Sequence, residues 1–344
     1  MAQPEVKKIT PGKIIKYLLL LCIAGALLYV SFRGVKWSDF IAGLKSCNYY
    51  WIAASMFVGF LGFVARALRW RLLLQQLNKE ITFRESYDGV TVAYLTNFVL
   101  PRAGEIARCG VIAKTGKANF EGTLGTVVLE RGFDLICLLF WMFLLLLFKW
   151  NEFGSFISRE LLEPLTGKFS SGIIYLLAGV IITFLVIFAI IWFFRKRILK
   201  IAFFQKIAKI IRGLIAGLLT AFRMKNKWLF ILYTLLLWGS YWLTSLTTIY
   251  AFPSIGGLGG TDALFLMIVG GLGWVVPVQG GLGAYHFIVS LALASVYAVP
   301  QTTGVIFATI SHESQALIMI ICGMLSLLSI SMWKNKKTST QNKK

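Results

Sequence analysis

Arg102, Glu105, Arg108, Glu130, Arg131 and Asp134 interrupt otherwise apolar runs between positions 96 and 134. A charged side chain at the centre of a bilayer costs about 2.5–3.5 kcal/mol on insertion scales, so such groups are rare there and are tied to ligand or proton handling. Arginine presents a planar fork that bonds two phosphate oxygens at once. Arg102 and Arg108 flank a break at Pro101, beside Gly104, where backbone can approach a ligand closely. The helix that resumes near Gly104 adds its amide end, which favours an anion. Either these arginines meet a phosphate or they sit at the cytoplasmic interface. Glu130 and Asp134 are four apart and share a helix face, with Arg131 one position around. Such a set can hold a cationic or zwitterionic headgroup, relay protons, or form an internal ion-pair network that pins one segment to its neighbour.

The elements that must position these groups are membrane helices. Of the 344 residues, 58% are hydrophobic and only 14% charged, against about a quarter charged in soluble domains. The fold class expected is an all-α polytopic membrane protein. Residues 14–32, 51–64, 135–148, 173–194, 228–252 and 304–333, with their flanks, are long enough to cross about 30 Å of hydrocarbon. The first follows Lys7, Lys8, Lys13 and Lys16 but ends at Ser31-Phe32-Arg33-Gly34, a poor cleavage site, and reads as a retained span. Lys and Arg number 35 against 14 Asp and Glu, a net charge of +21. The basic residues gather at span ends, which is the positive-inside signature rather than a nucleic-acid footprint. It puts both termini in the cytoplasm. The cysteines at 22, 47, 109, 137 and 322 have neither disulfide nor metal-ligand spacing.

Along the chain, 37–44 reads as a short outer interfacial piece, and 49–74 returns to the cytoplasm with Arg66, Arg69 and Arg71 snorkelling to that interface. Residues 87–100 are too short and too polar for a comfortable span; they stop at Pro101 and resume at 104–113. A broken hairpin entering and leaving on the cytoplasmic side fits, since non-helical backbone at membrane depth requires cover by protein or water. Residues 151–168 read as an external loop. The stretch 195–227 carries ten basic residues and no acid; it is either an amphipathic helix drawn to anionic phospholipid or a basic linker between the halves. Residues 334–344 form a basic cytoplasmic tail.

A second odd region, 263–276 and 284–298, breaks at Pro277-Val278-Gln279-Gly280-Gly281-Leu282-Gly283. Helix parity makes it a hairpin inserted from the opposite face. Val99-Leu100-Pro101-Arg102-Ala103-Gly104 parallels Val275-Val276-Pro277-Val278-Gln279-Gly280, and each is followed by a helix with an acid, Glu130 or Glu313, about ten residues in. At 1.5 Å per residue both acids lie about 15 Å deep. Inverted repeats with Gly/Pro-broken helices in matching places point to a transporter's binding site; the alternative is a chance Pro-x-x-Gly match in a Gly-rich protein. His312 and Glu313 form a candidate proton relay. His286 is the other histidine, and without an acid at i+4 spacing the two do not compose a zinc site, so no metal or cofactor is expected. No hydrolase elbow, phosphate-binding loop or dinucleotide fingerprint occurs.

At Asn97…Leu100-Pro101-Arg102-Ala103-Gly104-Glu105…Arg108, then Gly125…Val128…Glu130-Arg131…Asp134, the chain resembles the lysylphosphatidylglycerol synthase transmembrane, flippase-like family. Pro277…Gly280-Gly281-Leu282-Gly283 resembles that family's second motif. The resemblance implies a bacterial inner-membrane protein that moves a lipid between leaflets, as the membrane half of the multiple peptide resistance factor does. The positions it marks are Arg102, Glu105, Arg108, Glu130, Arg131 and Asp134. That factor continues into an aminoacyl-transferase domain, whereas here a short basic tail follows Trp333, which leaves lipid aminoacylation unsupported. The function expected is a lipid or lipid-linked flippase with Glu313 completing the site. A membrane-embedded lipid- or glycan-modifying enzyme and a membrane subunit that docks a soluble synthase are the alternatives.

Overall fold

A computed structural model describes residues 11–156 and 225–341. The described residues form helices α1 (Pro11–Phe32), α2 (Trp37–Ser46), α3 (Tyr49–Leu74), α4 (Phe83–Val99), α5 (Gly104–Thr115), α6 (Phe120–Phe148), α7 (Trp150–Phe156), α8 (Lys227–Tyr250), α9 (Gly260–Val275), α10 (Ala284–Tyr297) and α11 (Gln301–Gln341), with no strands. The expected span 173–194 and nearly all of the basic segment 195–227 lie outside the described residues. Among the described residues, five helical segments are long and apolar enough to cross a membrane, six if the bent pair of α1 and α2, at 84°, counts as one. One of the five is residues 279–297, which the sequence pattern had assigned to half of a hairpin. The short turn around Gln279–Gly281 extends α10 to 19 residues, and that restores spanning length.

Local chemistry accounts for the ends. Asn48 caps α3 by accepting from the Tyr50 amide at 3.1 Å. At α4, the Glu85 carboxylate accepts from the Thr82 amide at 2.8 Å while the Thr82 hydroxyl accepts from the Glu85 amide at 3.3 Å, a reciprocal capping box. Lys117 lies 2.9 Å from the same carboxylate and ties the start of α4 to the segment after α5. Helix α4 stops at Leu100, whose extended backbone (φ −126°, ψ 104°) is what a following proline demands. α11 runs eight residues past the expected end at Trp333, to Gln341: the basic tail contains neither Pro nor Gly over that stretch, so nothing terminates the helix.

The chain separates into two compact units, one of residues 1–124 with 231–344 and one of residues 125–230. In the first, α4 packs on α3, α5 and α11, and α10 packs on α1, α9 and α11. Two helix–break–helix hairpins, α4/α5 and α9/α10, stand where the Pro/Gly breaks were read. Ala24 of α1, Val278 in the second break and Ala284 of α10 form one buried cluster. Gly283 makes that approach possible: its φ is +79°, and a Cβ there would lie 2.3 Å from the Ala24 carbonyl oxygen.

Candidate functional site

The first break is built around Asn97. Its side-chain oxygen accepts from the Gly104 amide at 2.8 Å, so α5 starts hard against α4. A Cβ on Gly104 would lie 2.3 Å from the Ala93 carbonyl oxygen. Between them Arg102 takes a left-handed conformation, φ +64°, which costs a non-glycine residue about 1–2 kcal/mol. Its exposed guanidinium donates to the carbonyl of Val275, the last residue of α9.

The two breaks therefore meet. Phe98, at the end of α4, stands edge-on to Trp274 with ring centroids 6.4 Å apart, and its ring lies where a side chain on Gly280 would go. Trp274 in turn stacks on His312 of α11 at 4.9 Å and 22°. Sequence reasoning placed both breaks but did not place them in contact.

Beyond the first break, arginines lie inside the protein. Arg108 is buried and its guanidinium sits 4.8 Å from the ring centre of Trp70, itself fully buried. Arg69 is also fully buried. Arg66 donates to the Tyr94 hydroxyl at 2.7 Å and stands over that ring, while Arg71 donates to the Ile81 carbonyl at 3.2 Å. The expected snorkelling is corrected for Arg69, which is fully buried; Arg66 and Arg71 stay half-buried while engaging the Tyr94 hydroxyl and the Ile81 carbonyl. Asp88 of α4, buried as well, accepts from Ser329 of α11 at 2.7 Å. Glu105 is half-buried on α5.

Glu130, Arg131 and Asp134 lie on α6 within the second unit. Arg131 reaches Glu130 at 3.3 Å and Asp134 at 2.9 Å. The fully buried Glu130 and the mostly buried Asp134 are therefore joined by one arginine fork, the ion-pair arrangement weighed from the sequence.

At the second break, both ring nitrogens of His312 face oxygens. Its Nε2 is 2.9 Å from the Gly280 carbonyl and its Nδ1 is 2.9 Å from Glu313 Oε1. His286 of α10 approaches the same carboxylate, Nε2 to Oε1 3.8 Å. The sequence paired His312 with Glu313 and set His286 aside; the i+4 rule describes one helix, and these ligating groups come from two. Among the described residues, this trio is the group with the geometry to hold a metal ion, its ligating atoms all within 4.8 Å. A groove of about 380 Å³ opens beside it, lined by Tyr29, Leu282, His286, Thr309 and Glu313 among others.

Five or six helical segments among the described residues long and apolar enough to cross a membrane, two broken hairpins touching at their breaks, and buried arginines define a polytopic membrane protein with a polar interior. Over residues 14–323 it matches the family described as lysylphosphatidylglycerol synthase TM region, and it belongs to that family. No curated protein matches the chain.

Proposed function

We propose that the protein is a bacterial inner-membrane lipid or lipid-linked transporter of the flippase type, carrying a phosphate-bearing headgroup between leaflets. The observation that carries the reading is the meeting of the two breaks, with Arg102 of one bonded to Val275 of the other. Transporter sites form where broken helices of two repeats face each other. Arg102 and Arg108 supply the cations for the phosphate. Glu105 and Glu313 take positive charge or protons at the breaks, Glu130 and Asp134 of the second unit do so on α6 in their own right, and the hairpins are the moving parts of an inverted repeat with both termini cytoplasmic. The family's description as a lysylphosphatidylglycerol synthase TM region supports a phospholipid as the cargo of this reading.

The test is headgroup translocation in sealed vesicles containing the purified protein. Loss of a charge-assisted bond worth about 1.5–3 kcal/mol slows the step roughly ten- to a hundredfold. Arg102→Ala and Glu130→Gln are expected to show that loss. Wild-type rates in both refute the assignment, and product formation in detergent without a sealed compartment favours the enzyme alternative.

A further inference from the structure

We infer that His286, His312 and Glu313 form a three-ligand site for a divalent transition metal ion of the zinc class, at the second break. His312 and Glu313 bring two acceptors face to face. Gly280 offers only a carbonyl oxygen to His312 Nε2, so that nitrogen carries the hydrogen. In a neutral imidazole the remaining nitrogen, Nδ1, then presents a lone pair. That lone pair faces the Glu313 carboxylate at 2.9 Å. Two lone pairs at this distance need a cation between them, a proton or a metal ion.

His286 supplies the second imidazole. Its ring is buried beside the same carboxylate. Its Nε2 turns toward the same Glu313 oxygen at 3.8 Å, too far for a hydrogen bond. Two nitrogens at 2.0–2.1 Å and an oxygen at about 2.0–2.2 Å around a tetrahedral ion stand roughly 3.3 Å from one another. The two separations to the Glu313 oxygen, 2.9 and 3.8 Å, bracket that value, and all three ligand atoms lie within 4.8 Å of one another, so the imidazoles draw together on binding. The Gly280 carbonyl is the outer partner that a metal-bound imidazole uses to fix its tautomer and aim its other nitrogen. Glu313 is half-exposed where it borders the groove, which gives the ion a way in and leaves a fourth position for water or a ligand group. Two imidazoles and a carboxylate suit zinc, and the same set accepts cobalt as a spectroscopic substitute.

The inference is independent of which headgroup is carried. The experiment uses tag-free full-length protein in detergent, stripped with chelator, then titrated with Co²⁺ for its visible ligand-field absorption and with Zn²⁺ against a chromogenic chelator. Expected are one equivalent of tetrahedral-type Co²⁺ signal, its displacement by Zn²⁺, and a Zn²⁺-dependent rise in the unfolding midpoint. Glu313→Gln, His286→Ala and His312→Gln are each expected to weaken Zn²⁺ at least about tenfold, the scale of losing even an outer partner, and to abolish the midpoint rise. His312→Gln retains a donor for Gly280, so it separates ligation from folding; circular dichroism confirms helix content in each variant. Folded wild-type protein with no Co²⁺ signal overturns the proposal and assigns the shared cation as a proton. Equal Zn²⁺ affinity in wild type and the three variants overturns it as well.

Discussion

Gly104→Ala and Gly110→Ala place the same methyl group on the same helix, and the structure sets their effects in opposite directions. At Gly104 the new carbon would lie 2.3 Å from the Ala93 carbonyl oxygen and within 3 Å of the Asn97 amide. Contact requires about 1 Å more, and the obstacle is backbone, so α5 has to shift. Overpacking of this kind costs about 1–3 kcal/mol. The shift also stretches the 2.8 Å bond from the Gly104 amide to Asn97, adding about 1 kcal/mol. At Gly110 a Cβ would meet nothing within 4 Å, so the substitution retains only the helix benefit of alanine, about 0.5–1 kcal/mol. The assay is helix loss in mixed micelles of increasing SDS fraction, followed by circular dichroism. Gly104→Ala should unfold at a lower fraction than wild type by an amount worth about 2–4 kcal/mol, and Gly110→Ala at an equal or higher one. Matching shifts, or a Gly104→Ala protein as stable as wild type, refute the close approach of α5 to α4.

Arg108→Leu removes the guanidinium from the face of buried Trp70; a desolvated cation–π contact is worth about 2 kcal/mol, and the same SDS titration should show at least that loss. Arg131→Leu takes the shared fork from Glu130 and Asp134. With Arg131 41% exposed and Glu130 fully buried, the cost should be about 2–4 kcal/mol, somewhat below that of breaking a wholly buried pair. Glu130→Gln added to Arg131→Leu should recover part of it, with a coupling energy above about 1 kcal/mol in the double-mutant cycle. Additive effects would show that the pair does not interact.

What was legible depended on whether the signal was local. Pro101 and Pro277 each force an extended residue or a break within one or two positions, so the sequence located α4, α5, α9 and α10 to within a few residues. The cap at Thr82–Glu85 is equally local but was not singled out. Arg69 is the instructive miss. A basic residue at the end of an apolar run satisfies the orientation rule wherever its side chain points, and only the packing of α4 and α11 onto α3 reveals that it is buried. Trp70 next to it was the available hint, since a tryptophan between two arginines offers a π face to a cation arriving from elsewhere. His286 was missed for a related reason: it is 26 positions from His312, and periodicity reports which face a residue occupies, never which face it meets. α2 read as a short interfacial piece; it stands at 84° to α1, and the bent pair together has the length and apolarity of one broken span.

The bond from Arg102 to the Val275 carbonyl has a mechanical consequence. Because the acceptor is main chain, the link tolerates any side chain at 275 yet constrains both breaks. Parting the hairpins breaks that bond, about 1.5 kcal/mol at an exposed site, and the Phe98–Trp274 ring contact, about 0.5–1.5 kcal/mol. Together these two contacts bias the breaks toward staying joined by about 2–3 kcal/mol. A cargo that supplies its own acceptor to Arg102 would replace the Val275 carbonyl and remove most of that bias, so occupancy itself would release the two halves to move.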